Sequence, residues 1–168
     1  MKQMLRVTIG LTFILIVLGG TVRNMDAGLS CPDWPLCHGQ WIPPFDAQIL
    51  IEWVHRLVAS VVGFVTLGIC IGTWTRKEYR RRNGVISVLA VMLVTFQAVL
   101  GGMTVLGLLD PKWVSSHLAI GFVFFAMLLW MYLRLMGHSE RQGISSHANR
   151  PLAWMLGLTT LLIYCQSV

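Results

Sequence analysis

Apolar residues run almost unbroken over 4–22, 48–75, 85–108 and 113–136, and the stretches between them are polar or rich in Pro, Gly and Arg. A hydrocarbon core needs about 20 residues of helix to cross it, so each run is predicted to be a transmembrane helix. The first follows a basic start and resembles a signal peptide. No small-x-small cleavage site closes it, however, and three more spans follow, which makes it a retained helix. Pro32, Pro35, Pro43 and Pro44 exclude regular helix from 23–47. Trp53 and Trp74 lie near the two ends of the second span, as interfacial anchors do. The basic stretch 76–84 reads as a loop. Residues 109–112 read as a tight turn, with Pro111 at or near the start of the fourth span. The segment 137–150 is a polar linker, and 151–168 begins a further apolar run that is marginal for a span.

Composition agrees with a membrane protein. Hydrophobic residues make up 55% of the 168 and charged ones 12%, against roughly 25% charged in an average soluble domain, and mean hydropathy is +0.68. The net charge of +6 reports topology and not a nucleic-acid ligand. Lys2, Arg6, Arg76, Lys77, Arg80, Arg81, Arg82, Arg134, Arg141 and Arg150 fall on alternate loops, leaving Arg23, Arg56 and Lys112 elsewhere. This is a positive-inside distribution. It puts the N-terminus in the cytoplasm, 23–47 outside and 76–84 inside, in a multi-pass protein of the plasma (inner) membrane.

The spans repeat. Val17-Leu18-Gly19-Gly20-Thr21-Val22 closes the first, and Val99-Leu100-Gly101-Gly102-Met103-Thr104-Val105 closes the third. Trp53-Val54-His55 opens the second, and Trp113-Val114-Ser115-Ser116-His117 the fourth. The fold class expected is therefore an all-α integral membrane bundle over 1–136, made of two parallel helical-hairpin repeats, with a partial or short fifth helix at 151–168. Parallel repeats relate by an axis along the membrane normal, which can set His55 and His117 at one depth, facing across the bundle. Two opposed imidazoles suit a haem iron. The glycine pairs suit either close helix packing or room for a flat macrocycle. His38, His138 and His147 do not share the symmetry and read as solvated polar residues.

Ionisable residues inside a membrane are functional candidates by default. Glu52 lies one helical turn before His55, beside the expected porphyrin edge. Arg56 either pairs with Glu52 or reaches a haem propionate, since its planar fork suits both. Cys31 and Cys37 share the outer loop, where an oxidising compartment favours a disulfide. That bridge is either a staple or a redox-active or gating pair. Cys70 and Cys165 read as packing residues.

These residues resemble a known family. Gly28-Leu29-Ser30-Cys31-Pro32-Asp33-Trp34-Pro35-Leu36-Cys37 resembles the outer-loop signature of haem A synthases, Glu52-Trp53-Val54-His55-Arg56 their E-x-x-H-R element, and Ser116-His117 their next histidine. The resemblance implies oxidation of the C8 methyl of haem O to a formyl group by successive hydroxylations through an alcohol, for cytochrome oxidase assembly. It further implies that His55 and His117 are axial ligands of the substrate haem's iron and that Glu52 is the catalytic carboxylate. Cys31 and Cys37 would order the pocket mouth. Haem O synthase and oxidase assembly factors are the implied partners. Full-length members carry eight spans in two halves, the second holding a haem b cofactor. The present chain matches the first half and the start of a fifth helix, so it is expected either to be part of a longer product or to assemble with copies of itself.

Two other classes compete. A bis-histidine b-type electron-transfer subunit would hold the haem permanently, but has no need of a buried carboxylate near its ligand. A quinone-linked thiol oxidase would need a second cysteine pair within reach, and 109–112 has none.

Overall fold

A computed structural model describes residues 1–137. It contains four helices, α1 (Lys2–Asn24), α2 (Ala47–Trp74), α3 (Lys77–Leu106) and α4 (Pro111–Met136). Each is long and apolar enough to cross a membrane. Among the described residues there is no β-strand, only one isolated bridge between Cys37 and Gln40. The four spans expected are thus present in an all-α integral membrane protein. The linker 137–150 is described only at Gly137, and the apolar run 151–168, with its expected fifth helix, lies outside the described residues.

The helices pack in a ring, α1 on α2, α2 on α3, α3 on α4 and α4 back on α1. That order makes α2 and α4, the histidine-bearing helices, diagonal partners. The starts of both are fixed by caps. Asp46 accepts from the Gln48 N–H at 3.0 Å and Asp110 from the Lys112 N–H at 2.9 Å, each satisfying an otherwise orphaned donor. Pro111 occupies the first turn of α4, where its missing N–H costs nothing.

One boundary differs from expectation. The basic stretch 76–84 is not a loop: α2 ends at Trp74, α3 begins at Lys77, and the arginines lie on the first turns of α3. Arg, Lys and Glu are good helix formers, and Arg80 stacks its guanidinium over Trp74, so the chain turns within Thr75 and Arg76. Asn83 and Gly84 are already buried.

The main apolar cluster lies toward one end. Leu5, Val62, Ile69, Phe124, Leu128 and Met131 anchor it at the end of the bundle that carries the N-terminus. The hydroxyls buried there bond to carbonyls of their own helices, Thr8 to Met4, Thr12 to Thr8, Thr66 to Val62 and Thr73 to Ile69, at 2.7–2.8 Å. No polar group of theirs is left bare where water is excluded. Phe13, Phe64, Val85, Met92 and Leu133 point outward and are exposed, a surface suited to lipid and not to water.

The other half of the bundle is packed differently. Over 13–24, 53–61, 91–99 and 111–123 no side chain is fully buried. Above the layer of Thr12, Val62, Ala90 and Phe124 fewer side chains are fully buried, and those that are, Glu52, Leu100 and Val105 among them, lie nearer the loop end.

Candidate functional site

The two histidines stand in that less fully buried half. His55 is seven residues from Val62 and His117 seven from Phe124, so each lies about 10 Å above the last core layer by helical rise. Their surroundings repeat as well. A Cβ on Gly19 would lie 3.2 Å from Cε1 of His55, and one on Gly101 would lie 3.4 Å from Cε1 of His117. The first glycine of each pair is thus the surface against which its own hairpin's imidazole lies. The second glycines differ: Gly20 has open space around it, whereas a Cβ on Gly102 would be 3.0 Å from the Trp34 ring.

Nδ1 of His55 and Nδ1 of His117 are both buried without a hydrogen-bond partner. Buried polar atoms are normally satisfied, and two imidazoles orphaned at repeat-equivalent positions mark a place prepared for something else. The residues fit a flat, largely apolar group held through two imidazoles. His55 and His117 would hold it, and it would bring a redox-active iron.

Glu52 and Arg56 build the roof. Glu52 is buried, its Oε2 accepting from the Cys31 N–H at 2.8 Å and its Oε1 from Nη2 of Arg56. Arg56 also donates from Nη1 to the carbonyls of Asp33 and Leu36, each at 2.7 Å, and from Nη2 to that of Cys31 at 2.9 Å. One guanidinium thereby gathers three carbonyls of the loop between the cysteines. Its terminal donors are spent on these partners, so a propionate finds none of them free. Of the two sequence readings of Arg56, these contacts match the pairing with Glu52.

The loop closes on itself and on the second hairpin. The sulfurs of Cys31 and Cys37 are 1.97 Å apart and both residues are buried. Asp33 accepts from the N–H groups of His38 and Gly39 at 2.7 and 2.8 Å. Led by the Gly39 bond, these contacts hold its carboxyl below the ordinary value of 3.8. His38 has φ +54° and bonds through its ring to the Ser30 carbonyl. Trp34 rests on Gly102, and Gly28 sits so near the α3–α4 turn that a methyl there would be 3.0 Å from Leu109. The loop therefore starts from hairpin one, is anchored through Arg56 and reaches across to hairpin two.

Glu52, Arg56, Cys31 and Cys37 are thus brought together, and His55 and His117 are set at matching positions on diagonal helices. Cys70 is a partly buried free thiol in α2. His138, His147 and Cys165 lie outside the described residues. Trp34, Gln97 and Gly121 take part in the site and were not singled out from sequence. The amide of Gln97 in mid-span was the one visible signal.

The whole chain, residues 2–168, matches the family model described as COX15-CtaA, cytochrome oxidase assembly protein. It is 30% identical over 156 residues to a protein named heme A synthase from Exiguobacterium sibiricum, a match covering 90% of this chain and 52% of that protein. A heme A synthase from Shewanella oneidensis is 34% identical over 149 residues, 78% of this chain and 44% of that protein. A protoheme IX farnesyltransferase from Halobacterium salinarum is 30% identical over 117 residues, 70% of this chain but 26% of that protein. The chain spans about half the length of the heme A synthases it matches. With a family match along its length and a histidine-bearing bundle of two like hairpins, the chain belongs to the COX15-CtaA family of cytochrome oxidase assembly proteins.

Proposed function

We propose that this chain is a haem A synthase, or its catalytic half, which binds haem O between His55 and His117 and oxidises its C8 methyl to a formyl group. The observation that carries this reading is the pair of buried, partnerless imidazole nitrogens at repeat-equivalent positions of the two hairpins. The relatives named heme A synthase supply the reaction class. The match to a segment of a protoheme IX farnesyltransferase supports a place beside the enzyme that delivers a farnesylated haem. Oxidase assembly factors are the proposed partners on the product side.

In this mechanism the apolar upper half of the bundle excludes water from the substrate. His55 and His117 fix the porphyrin by its iron, and fixing the plane of the ring fixes where its methyls lie. Glu52 is the carboxylate of the roof. Each of its oxygens uses one lone pair on Arg56 or Cys31 and keeps another. That leaves it able to stabilise positive charge developing on the methyl carbon, or to position a water or hydroxyl there. In each of two steps the carbon would lose two electrons and two protons and gain a water, giving an alcohol and then a geminal diol that loses water to the aldehyde. An external electron acceptor would take the four electrons. The cysteine bridge orders the loop over the mouth.

A b-type electron carrier would use the same ligand pair, and a purely structural Glu52–Arg56 pairing would serve it too. Analysis of the haem that copurifies separates the two readings. A mixture of haem O, its C8 alcohol and haem A is expected, whereas protohaem alone would overturn the enzyme reading. For topology we propose a cytoplasmic N-terminus in the plasma membrane. In intact cells Phe45→Cys should react with an impermeant thiol reagent and Lys77→Cys should not. Labelling of Lys77→Cys from outside would reverse the orientation.

A further inference from the structure

Four buried side-chain polar atoms among the described residues have no hydrogen-bond partner: Nδ1 of His55, Nδ1 of His117, Oδ1 of Asn83 and Oε1 of Gln97. The histidines are accounted for by the proposed site, and Asn83 lies at the opposite, closely packed end of the bundle. Gln97 remains. It is on α3, one turn from Gly101 and on the same face, and Gly101 is the residue against which the His117 ring lies.

The Gln97 amide is held in place. Its Nε2 donates to the backbone carbonyl of His117 at 2.8 Å, which leaves Oε1 as the free end. Room for it comes from Gly121, where a Cβ would lie 2.8 Å from Nε2. An anchored amide with a buried, unused acceptor lies about one helical turn from the iron-binding imidazole.

The repeat shows what this amide adds. Aligned on the glycine pairs and the histidines, Gln97 and Gly121 correspond to Leu15 and Ala59 in the first hairpin. A pocket built from two like halves would accept a porphyrin in more than one orientation. Residues that break the repeat decide between them. Glu52 and Arg56, whose counterparts are Val114 and Leu118, break it at the roof, and Gln97 breaks it between α3 and α4, a turn inward of His117.

We propose that Gln97 is a substrate-recognition residue whose carbonyl oxygen accepts a hydrogen bond from a hydroxyl on the porphyrin edge. The inference rests on the haem A synthase reading and names its selectivity. Of the two hydroxyls in that chemistry, the one on the farnesyl-bearing side chain of haem O is the candidate, because Glu52, the group proposed to act at C8, lies at the roof and the Gln97 amide lies a turn inward of His117. A site built to bond a hydroxyl discriminates against the analogue that lacks it, because its own buried group is then left unpaired.

The test is competitive binding of protohaem, haem O and the C8 alcohol of haem O to the purified full chain, with the bound haems quantified by mass. The wild-type chain is expected to prefer the hydroxylated haems. Gln97→Leu, which installs the first hairpin's residue, should reduce that preference about tenfold, the effect of one hydrogen bond, with the bis-imidazole spectrum retained. Gly121→Ala keeps the glutamine but displaces its amide, and should have the same effect. Haem O and the alcohol declining together against protohaem would assign the bond to the side-chain hydroxyl. The alcohol declining alone against haem O would overturn that assignment. Unchanged ratios in both variants, beside a selective wild type, would overturn the role of Gln97 and leave the function standing. A wild type without preference would overturn the haem O reading and this inference with it.

Discussion

Glu52→Gln is expected to lower haem A formation by about 100-fold or more, the range seen when a preorganised electrostatic group is removed from a reacting centre, while haem stays bound. Glutamine has nearly the size of glutamate, so packing is preserved and the hydrogen-bonding pattern is what changes. Oε2 faces the Cys31 N–H and Oε1 faces the Arg56 guanidinium. Either orientation of the amide therefore turns an NH2 group toward a donor. Arg56, mostly buried, also loses its counter-charge. Removing one partner of such a pair is far more damaging than the net worth of the pair. The loop between the cysteines should loosen, and faster proteolysis within 31–37 would register it. His55 should be little affected, because its ring lies on Gly19 and not on Glu52. A near-native haem spectrum with haem O or the alcohol accumulating is the expected result. Normal haem A yield would remove Glu52 from the mechanism, and loss of haem altogether would show that the roof holds the substrate in place.

Replacing either imidazole should have the next largest effect. His55→Ala or His117→Ala is expected to abolish the six-coordinate bis-imidazole spectrum, and the double variant to purify without haem. Few other groups at either position can ligate iron: Gly19 and Gly101 offer no side chain, and Met4, His38 and Cys70 lie in other parts of the fold. Alanine at either position also removes bulk that rests on a glycine, so added imidazole has space to enter and should restore part of the spectrum. Gly19→Leu and Gly101→Leu should disturb the same spectrum with the histidines intact, because a Cβ alone already approaches the rings to 3.2–3.4 Å. Spectra unchanged in both alanine variants would place the iron elsewhere.

The basic cluster at 80–82 illustrates where sequence reading stopped short. Charge marked the segment as a polar loop, but charge does not end a helix. Arg and Lys continue one readily, and the helix runs on past the apolar stretch. The same limit applied to Arg56. Its sequence offset allowed a carboxylate or a propionate, and only the path of the loop brings three carbonyls to its guanidinium.

By itself the sequence determined the number of spans, the hairpin repeat, the placement of two histidines at matching positions, and the proximity of Glu52 to Arg56. Those follow from local quantities, namely apolar run length, helical period and four-residue spacing. Tertiary structure alone decided where the main apolar cluster lies, that each imidazole lies on the glycine of its hairpin partner, and that the loop spans from one hairpin to the other. It also left Gln97 with an unused acceptor beside His117. Such features depend on which helix faces which and on what remains unfilled between them. Packing of distant segments sets those relations, and no periodicity along a single chain encodes them.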